Sequence, residues 1–339
     1  MQLRSCAEKN REQQRSLTSI FFGGGTPTVL PPETLGRLLA DCLTQFPCAD
    51  ETEISIEVNP ATIDARGLAL LRRAGFNRLS IAVQSLNEAE LQQLGRLHSA
   101  ADAVRTVQVA REAGFANINL DLMYGLPRQN IHAWQKTLYQ ILELGPEHLS
   151  VYELTVEAGT PFARKQEQGT LSLPDEETVL LMLDKTQRLL EQNGLQRYEI
   201  SNYAASGKRC RHNINYWRNG EYFGLGAGAV AFLDKTRCTA IADAEQFCAY
   251  LETGRAAWAE KEKLDQETAF RETVITGLRM LEGISLQELQ GRFGIDAAEY
   301  YDSTLERLVQ QGMIDITGKY MRLTAQGMLL ADTVMADLV

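Results

Sequence analysis

No stretch of this sequence approaches 18 consecutive apolar residues, and the opening MQLRSCAEKNREQQR is polar, with no apolar segment of the kind that directs secretion. These two absences argue against a membrane-spanning helix and a secretory leader, and make the cytoplasm the expected location. There is no long basic run either: 34 lysines and arginines face 44 aspartates and glutamates, a net charge of −10. A chain of that sign is a poor fit to nucleic acid or to an anionic membrane surface. Cysteine occurs six times, at 6, 42, 48, 210, 238 and 248, but never at CxxC spacing. In a chain of 339 residues such scattered thiols read as reduced, not as a disulfide frame. What is present is the composition of a globular protein, 44% hydrophobic and 23% charged, long enough for one large domain and a small one.

Up to about residue 200 the chain alternates strand-like and helical runs. Strands are predicted at Thr18–Phe22, Glu53–Val58, Arg78–Val83, Asn117–Met123 and His148–Leu154, several of them rich in β-branched residues. Helices are predicted at Pro32–Phe46, Ala61–Ala74, Ala101–Ala113 and Ile131–Leu144, three of them closed by Gly75, Gly114 and Gly145. Repeated βα units imply a parallel sheet, and this many in a row imply a partial or complete α/β barrel. A long helix, Glu176–Asn193, follows. The stretch Arg209–Ala229 (RCRHNINYWRNGEYFGLGAGA) is aromatic, glycine-rich and reads as irregular, a composition suited to a binding surface.

From about Leu264 the pattern changes to three helices, Gln266–Met280, Ser285–Phe293 and Ala297–Gln311, then a hairpin turning at Thr317–Gly318–Lys319 and a final helix. This is the order of a winged helix. Its many acids, among them Glu282, Glu288, Asp296, Glu299, Asp302, Glu306 and Asp315, favour packing or partner docking over DNA.

The sharpest local signal is Gly23–Gly24–Gly25–Thr26–Pro27–Thr28, directly after the first strand. One glycine would serve a tight turn; three in a row let a ligand approach backbone N–H and C=O groups with no Cβ in the way. The next strands end in polar residues too: Glu57 and Asn59, then Gln84 and Ser85, while Asp121 lies in the fourth strand ahead of Tyr124–Gly125–Leu126–Pro127. Any one of these is as well read as a cap or a solvated loop. Together, at the C-terminal ends of successive parallel strands, they point to a pocket. Arg96, in LGRLH, could supply a cation for a bound carboxylate, although alone it would be read as a surface arginine.

GGGTPT, the EVNP of Glu57–Pro60, RLSIAVQS, LGRLHS, DLMYGLP and LSVYEL, in this order and over most of the chain, resemble the radical S-adenosylmethionine (SAM) proteins of the oxygen-independent coproporphyrinogen III oxidase group. Within that group HNINYW, His212–Trp217, and the GEYFGLGAGA after it resemble the heme chaperone branch more than the oxidase. The resemblance implies a radical SAM (β/α) barrel over 1–230, incomplete at its N-terminus, a connecting segment over 231–263 and a winged-helix-like domain over 264–339. It implies SAM contacts at Gly24, Gly25, Thr26, Glu57, Gln84, Arg96 and Asp121. It also raises His212 as a heme ligand or a ring packed on a porphyrin, against the bland reading of a hydrogen-bonded loop histidine, with Cys210 a weaker candidate.

One departure stands out. The family holds a [4Fe–4S] cluster on a CxxxCxxC motif upstream of its glycine turn; here the residues before Gly23 contain only Cys6. The cluster is therefore expected of the family but cannot be ligated by this chain. Residues 1–15 read as the first barrel helix caught part-way along, so the chain is expected to begin inside its domain, the other explanation being a variant that lost radical chemistry. The expected function is that of a heme-binding protein delivering heme to apo-hemoproteins. The alternatives are oxygen-independent oxidation of coproporphyrinogen III and a catalytically silent fragment.

Overall fold

The computed structural model describes residues 2–13 and 15–339; Met1 and Gln14, part of the expected first helix, lie outside them. The chain opens with α1 (Gln2–Gln13), β1 (Leu17–Phe22), α2 (Pro32–Gln45), β2 (Cys48–Val58), α3 (Ala65–Ala74) and β3 (Arg78–Gln84). It continues through α4 (Glu88–Gln93), α5 (Ala100–Glu112), β4 (Ile118–Tyr124), α6 (Ile131–Glu143) and β5 (His148–Glu153). Next come α7 (Pro161–Glu167), α8 (Glu176–Gln192), β6 (Gln196–Arg197), β7 (Asn202–Ala204) and α9 (Arg211–Trp217). The strands form one seven-stranded sheet in the order β1-β2-β3-β4-β5-β7-β6, parallel from β1 to β5 and antiparallel at β7 and β6.

The two faces of this sheet differ in chemistry, because side chains alternate along a strand. Ile54, Ile56 and Val58 of β2, Leu79, Ile81 and Val83 of β3, and Ile118, Leu120 and Leu122 of β4 face the helices, joining Leu39, Leu71, Val107 and Trp134 in the main core. Each such side chain stabilises the fold by about 1.5–3 kcal/mol through burial. The residues between them are polar: Glu53, Ser55 and Glu57, then Arg78 and Ser80, then Asn119 and Asp121, then His148 and Ser150. Register sets them side by side, with Glu57 opposite Ser80, Ser80 opposite Asn119, Asn119 opposite His148 and Asp121 opposite Ser150. The sheet thus curls around a polar lumen with its apolar side outward.

Local signals set the helix ends. Asp64, Asn130 and Asp175 accept from backbone N–H groups in the first turns of α3, α6 and α8, and Ser99 with Asp102 forms a capping box on α5. Gly75 closes α3 at φ +116°, a conformation that strains any residue with a Cβ. Inside, the Trp134 indole of α6 donates to Thr186 Oγ1 of α8 at 2.8 Å, tying the outer helices together.

The segment expected as irregular is partly helical: α9 starts after Cys210, which offers no side-chain cap, and its first backbone N–H groups find a carboxylate partner in β2 instead. The segment expected to connect is itself folded. It contains β8 (Val230–Leu233), β9 (Thr236–Ala240), α10 (Ala244–Glu252) and β10 (Trp258–Lys263), a three-stranded antiparallel sheet with its own small core around Phe247.

The tail carries α11 (Gln266–Gly277), β11 (Ile284–Ser285), α12 (Leu286–Phe293), α13 (Ala297–Gln310), β12 (Ile314–Thr317), β13 (Tyr320–Leu323), α14 (Ala325–Leu329) and α15 (Ala331–Ala336). Thr317 pairs with Tyr320 across a turn that starts at Gly318, φ +61°, as a two-residue hairpin requires. The order is that of a winged helix, built on a core of Phe270, Val274, Leu289, Leu305 and Met321. Among the described residues no helix is long and apolar enough to cross a membrane.

Candidate functional site

A cavity of about 190 Å³ opens in the lumen. Phe21, Glu57 and Gln84 stand at its rim, and Arg78, Ser80, Asn119, Asp121 and Ser150 form its wall and floor, with Tyr152 and Asn213 completing it. Three residues picked out in the sequence, Glu57, Gln84 and Asp121, are therefore brought together. Gln84 gets there by strain: it ends β3 at φ +64°, where the register to β4 also shifts. A non-glycine residue in that region costs of order 1–3 kcal/mol, which the surrounding structure must offset.

The glycine turn borders the same rim. Gly24 N–H donates to Glu57 Oε2 at 3.2 Å, and Asn59 Nδ2 donates to Thr26 Oγ1 at 2.5 Å, so the ends of β1 and β2 are locked to each other. The three glycines have different reasons. A Cβ on Gly23 would lie 2.5 Å from the Phe21 ring and 2.7 Å from Glu57 Oε1. One on Gly24 or Gly25 would meet nothing within 4 Å, although Gly24 also needs φ +86°. At Gly25 neither a clash nor a left-handed backbone requires glycine, so the space in front of its backbone is open.

Burial pushes the carboxyls of Glu57 and Asp121 up from the usual carboxylate range, and the charge of Asp121 adds to the rise at Glu57. Asp121 Oδ1 accepts from Asn119 Nδ2 at 2.7 Å, and Asn119 Oδ1 lies 2.6 Å from His148 Nδ1. His148 is fully buried, and its pKa is driven well down by burial and then by Arg78, so the ring is neutral. An amide oxygen only accepts, which places the proton on Nδ1. Nε2 then accepts from Tyr198 Oη at 2.9 Å, and Tyr198 Oη accepts from Cys210 N–H at 3.3 Å. One chain of hydrogen bonds thus joins Asp121 in the lumen to the start of α9.

Glu53 holds α9 in place. Its carboxylate accepts from Arg211 N–H at 3.1 Å, His212 N–H at 3.3 Å and Cys210 Sγ at 3.5 Å. Burial pushes the Cys210 thiol up to about 11, so it stays protonated. His212 stacks on Phe21 at 4.7 Å between centroids and meets Tyr216 edge-on. Its Nδ1 lies 3.3 Å from Ser19 Oγ and its Nε2 3.0 Å from Tyr216 Oη. Burial lowers its pKa to about 4, which leaves a neutral imidazole at neutral pH.

Arg96 is placed differently from the others. It follows α4 in a turn, its N–H bonded to Leu91 O, and it does not line the cavity. Ser85 is held by Glu90, donating to Oε2 at 2.5 Å, and serves the fold. Cys42, Cys48, Cys210, Cys238 and Cys248 lie on separate elements, and among the described residues no group of three His, Cys, Asp or Glu side chains is placed to hold a metal ion. The residues present do not fit a [4Fe–4S] cluster. The cavity residues that sequence reading missed are Arg78, Ser80, Asn119 and Ser150; their signal was the polar alternation within RLSIAVQ, NINLDLM and HLSVYE.

A curled parallel sheet with helices outside, a glycine turn after β1 and a polar lumen define a radical SAM-type protein. Residues 1–141 match the model of the radical SAM superfamily, and residues 264–330 match that of the HemN C-terminal domain. A coproporphyrinogen III oxidase (HemN) from Escherichia coli, described as a radical SAM enzyme, superposes with a TM-score of 0.81 at 25% identity, over 99% of this chain and 81% of that one. The heme chaperone HemW of Bacillus subtilis is 35% identical over 95% of this chain and 85% of its own length. HemW of Escherichia coli is 35% identical over 95% and 84%. A mitochondrial radical SAM domain-containing protein 1 of Danio rerio is 31% identical over 98% and 79%. The chain belongs to the HemW family of heme chaperones.

Proposed function

We propose that this protein binds heme and delivers it to apo-hemoproteins. The observation that carries the reading is kinship with relatives named heme chaperones, at 35% identity over 95% of the chain and 84–85% of theirs, with the polar lumen and the HNINYW segment beside it. His212 is the proposed contact to heme. Its neutral ring keeps one nitrogen lone pair, and ligation through Nε2 would exchange the Tyr216 hydroxyl for iron. Heme added to the chain is expected to give a shifted Soret band that His212→Ala weakens. No shift with the unaltered chain would sink the chaperone reading, and an unchanged band in the variant would remove His212 alone.

SAM is proposed to occupy the rim, and the residues fit it. Gly25 and Gly24 leave room for its methionyl end, Glu57 and Asp121 accept from an ammonium or a ribose diol, and Gln84 and Thr26 offer both kinds of hydrogen bond. Arg96 would have to swing inward to reach a SAM carboxylate. Bound there, SAM would supply a sulfonium-activated 5′ carbon. The oxidase reading shares the fold but needs reductive cleavage of SAM by a cluster. No described group holds one, so turnover of coproporphyrinogen III by this chain is expected to be nil.

A further inference from the structure

Arg78 lines the lumen and bears on His148 through its charge, but its guanidinium has no bonded partner among the described residues. Its side chain is 2% exposed, yet among the described residues it makes no hydrogen bond and no ion pair, and its Nε is enclosed without a partner. It is the one basic side chain among the described residues that line the lumen cavity. A guanidinium carries five donors in a planar fork, and a buried polar group left unmatched is rare in a folded protein. Glu53 and Asp121 act on Arg78 through their charge, but make their hydrogen bonds elsewhere. Glu53 spreads its charge over three donors at the start of α9, and Asp121 accepts from Asn119 and Ser80.

We infer that Arg78 is the receptor for a ligand carboxylate, and that this is a propionate arm of the tetrapyrrole, reaching down from the rim. The fork geometry matches a carboxylate in bidentate fashion. The donors of Ser80, Asn119 and Ser150 beside it are spent on Asp121, on Ser80 and on Asn119, so of these four Arg78 alone has donors to give an incoming carboxylate. A cavity of about 190 Å³ takes a short carboxylic acid but not a macrocycle, so the ring must stay at the mouth, near Phe21 and the stacked His212. The inference rests on the heme-binding reading for the source of the carboxylate, but not for the receptor itself. A carboxylate of SAM has the same chemistry and is the rival source.

The test has two arms. In the first, the chain is titrated with sodium propionate at constant ionic strength, against sodium chloride, while the Arg78 Nε–H signal is followed by ¹⁵N NMR. A saturable shift with propionate alone is expected. No shift, or an equal shift with chloride, overturns the receptor. In the second, affinities for heme and for heme dimethyl ester are measured on the chain and on Arg78→Lys. Heme dimethyl ester loses the charge and Arg78→Lys loses the bidentate fork while keeping a cation, so either change is expected to weaken binding by about tenfold to hundredfold, with the second adding little once the first is made. Additive losses overturn the tetrapyrrole as the source. If SAM, but not 5′-methylthioadenosine, then displaces propionate from Arg78, the receptor stands with SAM as its ligand. If heme binds neither chain, the chaperone reading fails while the propionate arm still decides the receptor. Should Arg78→Lys not fold, the first arm needs no variant.

Discussion

At Gly25 a methyl group would meet no atom within 4 Å, and the backbone is not left-handed. Gly25→Ala is therefore expected to leave the melting temperature within about 1 °C, since it meets none of the mechanisms that make a substitution costly, and yet to weaken SAM binding by about tenfold or more. Calorimetry for stability and equilibrium dialysis for SAM separate the two. His212 makes a pH prediction. Its ring stays neutral in the fold down to about pH 4, whereas in the unfolded chain it takes up a proton near 6.5. Between those values the unfolded state binds more protons, so stability falls as pH drops from about 6.5 to about 4 and levels off below. The full effect is about 3 kcal/mol at most. His148, also lowered by burial, contributes in the same direction. Urea midpoints between pH 7 and 4 should therefore fall less steeply for His212→Asn than for the unaltered chain.

At the scale of elements, the strands show what a sequence makes legible. The predicted strands and helices lie within a few residues of those observed, because β-branched runs, glycine closures and acidic or amide caps act over a few residues. The glycine turn and the polar strand ends were legible for the same reason. The helix α9 was not: its first N–H groups are satisfied by Glu53, distant in sequence, and no local pattern announces such a partner. Nor was the role of Arg78 legible, because only the register of β2, β3 and β4 brings it to one cavity with Asp121. Alternation along β2 yields a test on neighbouring residues. Ile56 is fully buried among the helices, and Ile56→Ala is expected to cost about 2–5 kcal/mol. Ser55 is equally buried on the lumen side but its hydroxyl has no partner, so Ser55→Ala is expected to be neutral or slightly stabilising. Comparable urea-unfolding losses for the two would contradict the assignment of faces.

Across the whole molecule, the barrel and the tail are joined through a junction that is partly apolar, with Tyr198 and Ala204 packed with Met280, and partly polar. Ile200 N–H donates to Arg279 O and Leu281 N–H donates to Tyr198 O, each at 3.1 Å. Between these strands of contact Glu199, 0% exposed, lies 3.6 Å from Arg279, whose guanidinium covers the Trp217 ring at 4.3 Å. Arg292 reaches across as well, donating to the carbonyls of Arg218 and Asn219 after α9. Arg279→Met would leave a buried carboxylate unpaired, at a cost of about 3–5 kcal/mol, and adding Glu199→Gln should restore much of the loss. Urea unfolding of the single and double variants checks this; a double variant no better than the single would show that the pair acts through something other than its charge.

The one-sided chemistry of the large sheet has a thermal consequence. Its apolar area is sealed against the helices, so a small polar ligand entering the lumen covers hydroxyls, amides and carboxyls and little hydrocarbon. Removing apolar surface from water lowers the heat capacity and removing polar surface raises it. Occupation of this lumen therefore proceeds with a small positive change in heat capacity, and its binding enthalpy rises slightly with temperature. A ligand that also laid an apolar ring across the mouth would depart from that line toward negative values, so heat capacity distinguishes what fills the lumen from what covers it.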